Sequence, residues 1–422
     1  MIRFIKKLIP TPIFRACQPT YHFLLAYVGA IFYSFPARKM FIIGVTGTKG
    51  KSSTVELINT ILEEAGYKTA LAGTIRFKIG AESRPNLYKM SMPGRFFIQK
   101  FLSDALKAGC THVVLEITSE AARQFRNRWI DLDMLLFTNL SPEHIESHGS
   151  FEKYRDAKRS IGRALAGSGF GGSTKKERRI IANSDDAESA FYLSLPVTCA
   201  VPFSLANAEP YTVAKDSIEF TFKDEKMNAP LTGLFNLYNA LGAVVCANTL
   251  GIPLATIKKA LAKTATIKGR VERVNVGQDF DVIVDYAHTA DSLEKLYLAF
   301  PDQRKICVLG NTGGGRDTWK RKEMGAIADK YCDEIILTDE DPYDDDPRSI
   351  VEQMVEGIKN KPYKIIMDRR EAINTAVSHA QHGDAVLITG KGTDPYIMVA
   401  NNKKIPWSDE NVAREELEKI KK

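Results

Sequence analysis

Polar and apolar positions alternate in blocks along this chain: short apolar runs, each closing on a glycine-rich or acidic turn, are followed by stretches of helical period. The first clear case is 41–54, FIIGVTGTKGKSST, where an apolar run opens into a turn and the helix-like VELINTILEEAG follows. The alternation continues to about residue 265. It passes through THVVLEIT (111–118), DMLLFTNLSPEHIESHG (133–149), a helix over SFEKYRDAKRSI (150–161), a glycine-rich basic loop (167–179), RIIANSDD (179–186), short β segments to about 230, and a helix within 231–252. Such runs, bounded by turn residues, read as buried strands between helices.

A second series begins near Lys268. The pattern predicts strands over DVIVDYAHTADS (281–292) and KICVLGNTGGGRD (305–317), a helix over WKRKEMGAIADKY, and strands in EIILTDEDP and AVLITGKGTDPY (385–396). The prediction is an α/β chain. Residues 1–40 form a short helical N-terminal segment, 41–267 a P-loop central ATPase domain, and 268–422 a C-terminal Rossmann-like, doubly wound domain.

The turn at 44–52 carries the first chemistry. A strand opening into glycines and then a helix brings backbone N–H groups and a helix N-terminus to one point, which suits phosphate. Lys51 would reach the terminal phosphates and the Ser52 hydroxyl would sit on a magnesium ion. The strict G-x-x-x-x-G-K-[ST] spacing is missed by one residue, because position 45 is Val and the glycine is Gly44. In parallel sheets ligands gather at the carboxyl ends of strands. Glu116 ends one apolar run, and Glu143, His144 and His148 follow another, so a magnesium site is expected there. Asn236 and Asn239 open a helix, where their amides either read a base or ribose or cap the helix. GGGRD, GKG and DEDPYDDDP each follow a strand and are expected to line one crevice facing the nucleotide.

Composition narrows the picture in two places. The six cysteines are scattered with no C-x-x-C pair, which speaks for a reducing compartment and against a zinc site. Six of the seven net positive charges fall in residues 1–40, as Arg3, Lys6, Lys7, Arg15, Arg38 and Lys39 with no acid. The remaining chain is nearly neutral and gives no reason to invoke nucleic acid. The apolar run 21–35 is shorter than the roughly 20 residues needed to span a bilayer. It lacks the small-residue cleavage site of a signal peptide. Two readings stay open for 1–40: helices packed on the body, or a basic amphipathic anchor in a membrane surface.

Taken together, GVTGTKGKSST, LEITSEAARQFR, TNLSPEHIESHG with YRDAK, ANSDD, GLFNLYNA, GRVE, DYAHTADSL, GGGRDTWKR and GKG resemble the Mur ligase family, in family order over about 40–410. DYAHTADSL points to the branch that adds the third residue of the peptidoglycan stem peptide. The resemblance implies a cytoplasmic ligase that uses ATP to phosphorylate a carboxylate of a nucleotide-sugar peptide, after which an amino acid displaces phosphate. It places ATP on Gly47, Thr48, Gly50, Lys51, Ser52, Ser53, Asn236, Asn239, Arg270, Asp285 and His288. It also implies two Mg2+ ions, on Ser52, Glu116, His144 and a carbamylated Lys158, so that Lys51, Glu116, His144 and Lys158 carry catalysis. Substrate contacts fall to Ser91, Thr118, Ser119, Arg126, Arg316, Asp317, Asp341, Tyr343, Lys391 and Asp394. Domain closure is expected to assemble the site.

The chain departs from the family in its substrate-reading half. Only forty residues precede the nucleotide strand, where the family carries a UDP-binding domain. Glu120 stands for a histidine, Ser91-Met92-Pro93 for Thr-Thr-Pro, Glu340-Asp341-Pro342-Tyr343 for the selectivity motif D-N-P-R, and Gly390-Lys391-Gly392-Thr393-Asp394 for G-K-G-H-E. Loss of the arginine that grips a distal carboxylate, together with the acidic run at 339–346, predicts L-lysine or a shorter diamino acid as acceptor. The competing readings are a Mur-type ligase for a lipid-linked or otherwise different carboxylate, including an amidating subunit, and a silent nucleotide-binding scaffold.

Overall fold

The computed structural model describes residues 11–143, 145–167, 169–264, 266–315 and 318–420. The chain divides into two compact units. The first is formed by the chain up to Ser141 with Glu152–Ala206 and Leu241–Ile257, and the second by Pro142–Phe151, Asn207–Ala240 and Lys258 onward.

The first unit is built on an eight-stranded sheet. Its strands are β1 (Phe41–Thr46), β2 (Thr69–Ala72), β3 (Arg76–Ile79), β4 (Glu82–Pro85), β5 (His112–Glu116), β6 (Met134–Phe137), β7 (Arg179–Asn183) and β8 (Cys199–Phe203). Their order is β4-β3-β2-β5-β1-β6-β7-β8, parallel except for β3 and β4. Ile42, Ile43 and Val45 of β1 are fully buried, as a strand covered on both faces requires. The register sets Val45 beside Glu116, so the end of β5 lies next to the point where β1 enters the glycine turn. The helix Lys51–Glu64 follows, burying Val55, Ile58, Ile61 and Leu62 at helical spacing, and Gly66 at φ 85° turns the chain just after its end.

The N-terminal helix spans Thr11–Phe32, longer than the apolar run alone suggested. Phe23, Ala26, Tyr27 and Ala30 pack around Trp129, with the Phe23 and Tyr27 rings 5.0 and 5.3 Å from it. Tyr21, Leu24, Val28, Ile31 and Phe32 form an exposed stripe. Among the described residues no helix is long and apolar enough to cross a membrane.

The second unit holds a three-stranded antiparallel sheet, β9 (Tyr211–Val213), β10 (Ile218–Phe222) and β11 (Glu225–Ala229). It also holds a six-stranded sheet: β12 (Glu272–Arg273), β13 (Asp281–Asp285), β14 (Lys305–Leu309), β15 (Glu334–Leu337), β16 (Tyr363–Ile365) and β17 (Ala385–Thr389), in the order β12-β13-β17-β14-β15-β16. Alternation along β14 divides its residues between two cores: Cys307 and Leu309 join Leu293, Leu296, Met324 and Val351, while Ile306 and Val308 join Ala372, Ile373, Ala376 and Leu417. Helices therefore cover both faces, the doubly wound arrangement the sequence predicts.

Several expectations need correction. The strands expected over 305–317 and in 385–396 stop at Leu309 and Thr389, where the glycine-bearing loops begin. The strand expected over 281–292 stops at Asp285, because that side chain accepts Val271 N–H and Ala287 N–H at 2.7 Å each and bends the chain. Thr289, in a capping box with Ser292, then starts the helix Ala290–Leu298. The scattered cysteines spoke for a reducing compartment, yet Cys307 and Cys332 form a disulfide with S–S 2.10 Å. One lies on β14 and the other just past the end of the helix Lys320–Tyr331, so packing of that helix on the sheet brings together cysteines 25 residues apart.

Candidate active site

The glycine turn of the first unit is held from behind by its neighbours. Gly47 has φ 146°, and a Cβ there would fall 1.9 Å from Thr138 Oγ1, so only glycine admits this close approach. Thr138 Oγ1 donates to the Lys49 carbonyl at 2.7 Å, and Lys49 N–H donates to Asn139 Oδ1 at 2.9 Å. Gly50, at φ 81°, precedes the helix as a cap without a side chain. No cap side chain therefore stands over the start of this helix, the end that favours an anion. Lys51 Nζ donates to the Thr48 carbonyl at 2.8 Å, folded over the turn it is expected to serve.

Ser52 Oγ donates to Glu116 Oε2 at 3.0 Å. Thr74 holds the same carboxylate by its N–H (2.8 Å, Oε2) and its hydroxyl (2.9 Å, Oε1). Glu116 is 2% exposed. This all-oxygen set at a phosphate turn suits Mg2+, which binds through one or two protein oxygens, phosphate and retained water. Among the described residues no three His, Cys, Asp or Glu side chains gather as a metal cluster.

Lys158, 2% exposed on the helix Phe151–Leu165, donates to the Gly47 carbonyl, and its Nζ lies 5.0 Å from the centre of the Tyr154 ring. The Tyr154 hydroxyl meets Thr48 Oγ1 at 2.9 Å, so this helix touches the turn at two points one helical turn apart. Ser53 is buried at the third position of the phosphate helix. Thr118 caps a short helix through Ala121 N–H at 3.2 Å, and buried Ser119 begins it. Arg126 donates to the Met92 carbonyl at 2.5 Å, which joins the 91–93 and 118–126 segments.

In the second unit Asn236 and Asn239 are buried. Asn236 Nδ2 donates to the Thr232 carbonyl at 2.9 Å, and Asn239 Nδ2 to Asn236 Oδ1 at 3.1 Å. The Arg270 guanidinium lies 4.4 Å over the Tyr286 ring. Burial lifts the Asp285 carboxyl above its ordinary range, against the opposing pull of Arg270 and the two N–H donors. His288 Nδ1 meets the Tyr286 carbonyl at 2.8 Å, and its Nε2 lies 3.3 Å from Glu143 Oε1.

The loops after β14, β15 and β17 converge within this unit. Thr312 Oγ1 donates to Glu340 Oε1 at 2.8 Å, Gly313 N–H to the Asp341 carbonyl at 2.8 Å, and Gly314 N–H to Asp345 Oδ2 at 3.0 Å. Lys391, fully buried, contacts Asp341 at 2.8 Å and Asp394 at 3.5 Å. Two acids expected to face a substrate ammonium are therefore engaged by a lysine of the protein. Asp346 caps the helix Pro347–Val355, and Asp344 accepts Asn401 N–H at 2.7 Å, so much of the acidic run organises loops. Glu340 differs: it is 3% exposed and its Oε2 has no hydrogen-bond partner among the described residues. Tyr343 adopts φ 55° and is half-buried. Asp339 is pushed up to about 6, first by burial and further by the neighbouring Asp341 and Glu340 charges.

His144, Arg316 and Asp317 lie outside the described residues. Sequence reasoning did not single out Thr74, Asn139 or Tyr154, and it took Glu340 only as one member of the acidic run and of the altered selectivity motif. Tyr154 stands four residues before Lys158, a spacing that could have flagged it. Thr74 gives no local signal, since its contact with Glu116 spans 42 residues.

Comparison with known proteins agrees over most of the chain. The Mur ligase middle domain matches residues 45–247, and the Mur ligase, glutamate ligase domain matches 269–392. The UDP-N-acetylmuramoyl-L-alanyl-D-glutamate--2,6-diaminopimelate ligase of Caldanaerobacter subterraneus subsp. tengcongensis is 34% identical over 413 residues, 94% of this chain and 82% of that enzyme. The UDP-N-acetylmuramyl-tripeptide synthetase of Roseiflexus sp. is 35% identical over 437 residues, covering 98% and 85%. A solved UDP-N-acetylmuramoyl-L-alanyl-D-glutamate--2,6-diaminopimelate ligase superposes with TM-score 0.61 at 26% identity, covering 91% of this chain and 79% of that one. On these likenesses the chain belongs to the Mur ligase family of ATP-dependent ligases that form amide bonds.

Proposed function

We propose that this ligase joins a diamino acid, with L-lysine preferred, to the glutamyl carboxylate of a UDP-muramoyl-dipeptide. The names of the relatives supply the donor class. ATP would transfer its terminal phosphoryl group to a carboxylate oxygen, giving an acyl phosphate. The acceptor amine then attacks the acyl carbon, the C–O bond to phosphate breaks, and the amine loses a proton. Two anions must approach each other in the first step, so cationic neutralisation is the principal task of the site. The turn N–H groups and Lys51 would bear on the phosphates, while Ser52 and Glu116 would hold Mg2+, which supplies further neutralisation when bound. Carbamylation of Lys158 requires its ammonium to give up one proton; the neutral amine nitrogen then joins the carbon of CO2 with release of a second. It would replace a buried ammonium by an oxygen-ended anion suited to a second ion, with His144.

The observation that carries the acceptor assignment is Glu340 Oε2, a buried carboxylate oxygen in the loop cluster of the second unit with no hydrogen-bond partner among the described residues. A substrate ammonium would satisfy it. Tyr343 occupies the place of the arginine that grips a distal carboxylate in the enzymes the sequence resembles, and a neutral hydroxyl cannot form a bidentate ion pair. The test is phosphate release with UDP-muramoyl-dipeptide across a panel of amino acids, comparing kcat/KM for lysine and meso-diaminopimelate. Preference for diaminopimelate overturns the lysine assignment, and no release with any amino acid overturns the donor.

We also propose that the N-terminal helix rests on the cytoplasmic face of an anionic membrane. The exposed stripe Tyr21, Leu24, Val28, Ile31 and Phe32 and the acid-free basic composition of residues 1–40 support this reading.

A further inference from the structure

Arg95 stands where helix electrostatics disfavour a cation. It is the first residue of the helix Arg95–Lys107, and Gly94 before it provides no side-chain cap, so a guanidinium sits at the positive end of the helix dipole. A second guanidinium, that of Arg126, shares its hydrogen-bond acceptor. Arg95 Nη2 and Arg126 Nη2 donate to Gln124 Oε1 at 3.3 and 2.7 Å, and Arg95 Nε donates to the Gln124 carbonyl at 2.9 Å. Each arginine is 9% exposed.

The groups facing this pair supply little compensation. Glu120 pulls favourably on Arg126, and the Tyr21 phenol on Arg95, but among the described residues neither arginine has a carboxylate at ion-pair distance. Burial, and then Arg126, push the Arg95 pKa down to about 10. Arg126 Nε is buried without a hydrogen-bond partner among the described residues. So is Ser91 Oγ, on the residue before Met92, whose carbonyl accepts from Arg126. Two buried like charges bridged by a neutral amide, with donor capacity left over, are costly until an anion joins them.

We propose that Arg95 joins Arg126 in a two-guanidinium clamp for a substrate carboxylate, namely the glutamyl carboxylate of the donor that is not activated. The clamp makes Arg95 a specificity-determining residue, whereas the resemblance implied only Arg126. The assignment of the anion rests on the proposed donor. The donor's diphosphate offers the same anionic oxygens and is the competing source.

The first measurement needs no substrate turnover. In thermal unfolding of the full chain, glutarate should raise the Tm of wild type, and Arg95→Gln should remove most of that rise while leaving the anion-free Tm equal or higher, because repulsion is relieved. A lower anion-free Tm with unchanged glutarate dependence would show a packing role and overturn the clamp. The second measurement compares the free-acid donor with one whose spare glutamyl carboxylate is a carboxamide. Wild type should favour the free acid by about tenfold or more in kcat/KM, the scale of a charge-assisted bond. Arg95→Gln should erase that preference, mainly through KM. Equal use of both donors, or a loss of UDP affinity on Arg95→Gln, would overturn the carboxylate assignment. Absence of turnover by wild type would refute the donor class, and the glutarate titration would still decide the clamp.

Discussion

Ser52 Oγ donates to Glu116 Oε2 at 3.0 Å, across 64 residues of sequence. The contact exists because β1 and β5 are adjacent and in a register that sets Val45 beside Glu116. A hydroxyl at the start of the phosphate helix thereby gains a carboxylate of fixed orientation, held on its other side by Thr74.

Glu116→Gln keeps the size of the side chain and removes the charge that would hold Mg2+. It should lower kcat by about 100-fold or more, the scale of losing a preorganised electrostatic group. Thr74→Val removes the hydroxyl that donates to Glu116 Oε1, and should cost about 1–3 kcal/mol of stability where Glu116 keeps its charge. Steady-state phosphate release and denaturant unfolding test the two. Unchanged kcat in Glu116→Gln would refute the metal assignment.

Lys158→Ala should abolish ligation, and bicarbonate should not restore a Lys158→Arg variant, since a guanidinium forms no stable carbamate. Carbon-13 NMR of protein equilibrated with labelled bicarbonate should show a carbamate signal that Lys158→Ala lacks. Ligation retained in Lys158→Ala would remove both the modification and the second ion from the mechanism.

Asp339 gives a pH signature. Its folded carboxyl, at about 6, lies above the ordinary 3.8, so the native state binds the proton more tightly than the unfolded chain. The ionised form therefore costs stability above about pH 6, and the cost is relieved as pH falls from 6 towards 3.8. Asp339→Asn should raise Tm most at pH 7–8, with the gain fading towards pH 4. A gain independent of pH would contradict the assignment.

The exposed stripe of the N-terminal helix predicts flotation with anionic liposomes, reversed at high salt as the basic residues are screened. Leu24→Asp combined with Val28→Asp should abolish flotation. Both side chains are about half exposed, so Tm should change little. Equal flotation of the variant, or none by wild type, would remove the membrane contact.

The lysine acceptor carries a consequence for Glu340. Replacing a carboxylate that pairs with a desolvated ammonium costs about 2–5 kcal/mol of binding. Glu340→Gln should therefore raise KM for lysine steeply and leave KM for ATP near its wild-type value. Equal KM for lysine in the two proteins would place the ammonium elsewhere.

The features legible in the sequence are those that depend on neighbours along the chain. The glycine turn at 44–52, the strand ending at Glu116, and the alternation behind two α/β sheets follow from apolar period, glycine placement and the order of strand, turn and helix, whereas the stop of the next domain's first long strand at Asp285 did not. The meeting of Ser52 with Glu116, the grip of Thr74 on that carboxylate, the Cys307–Cys332 bond and the sharing of Gln124 by Arg95 and Arg126 depend instead on which strands lie side by side and in what register, or on how helices and loops pack against them. The acidic run at 339–346 shows the difference most sharply. Its sequence offered a row of carboxylates for a substrate. Tertiary packing then placed Lys391 on Asp341 and Asp394, spent Asp344 and Asp346 on loop and helix N–H groups, and left Glu340 Oε2 without a partner among the described residues, because burying charge forces each carboxylate towards whatever donor the fold brings within reach.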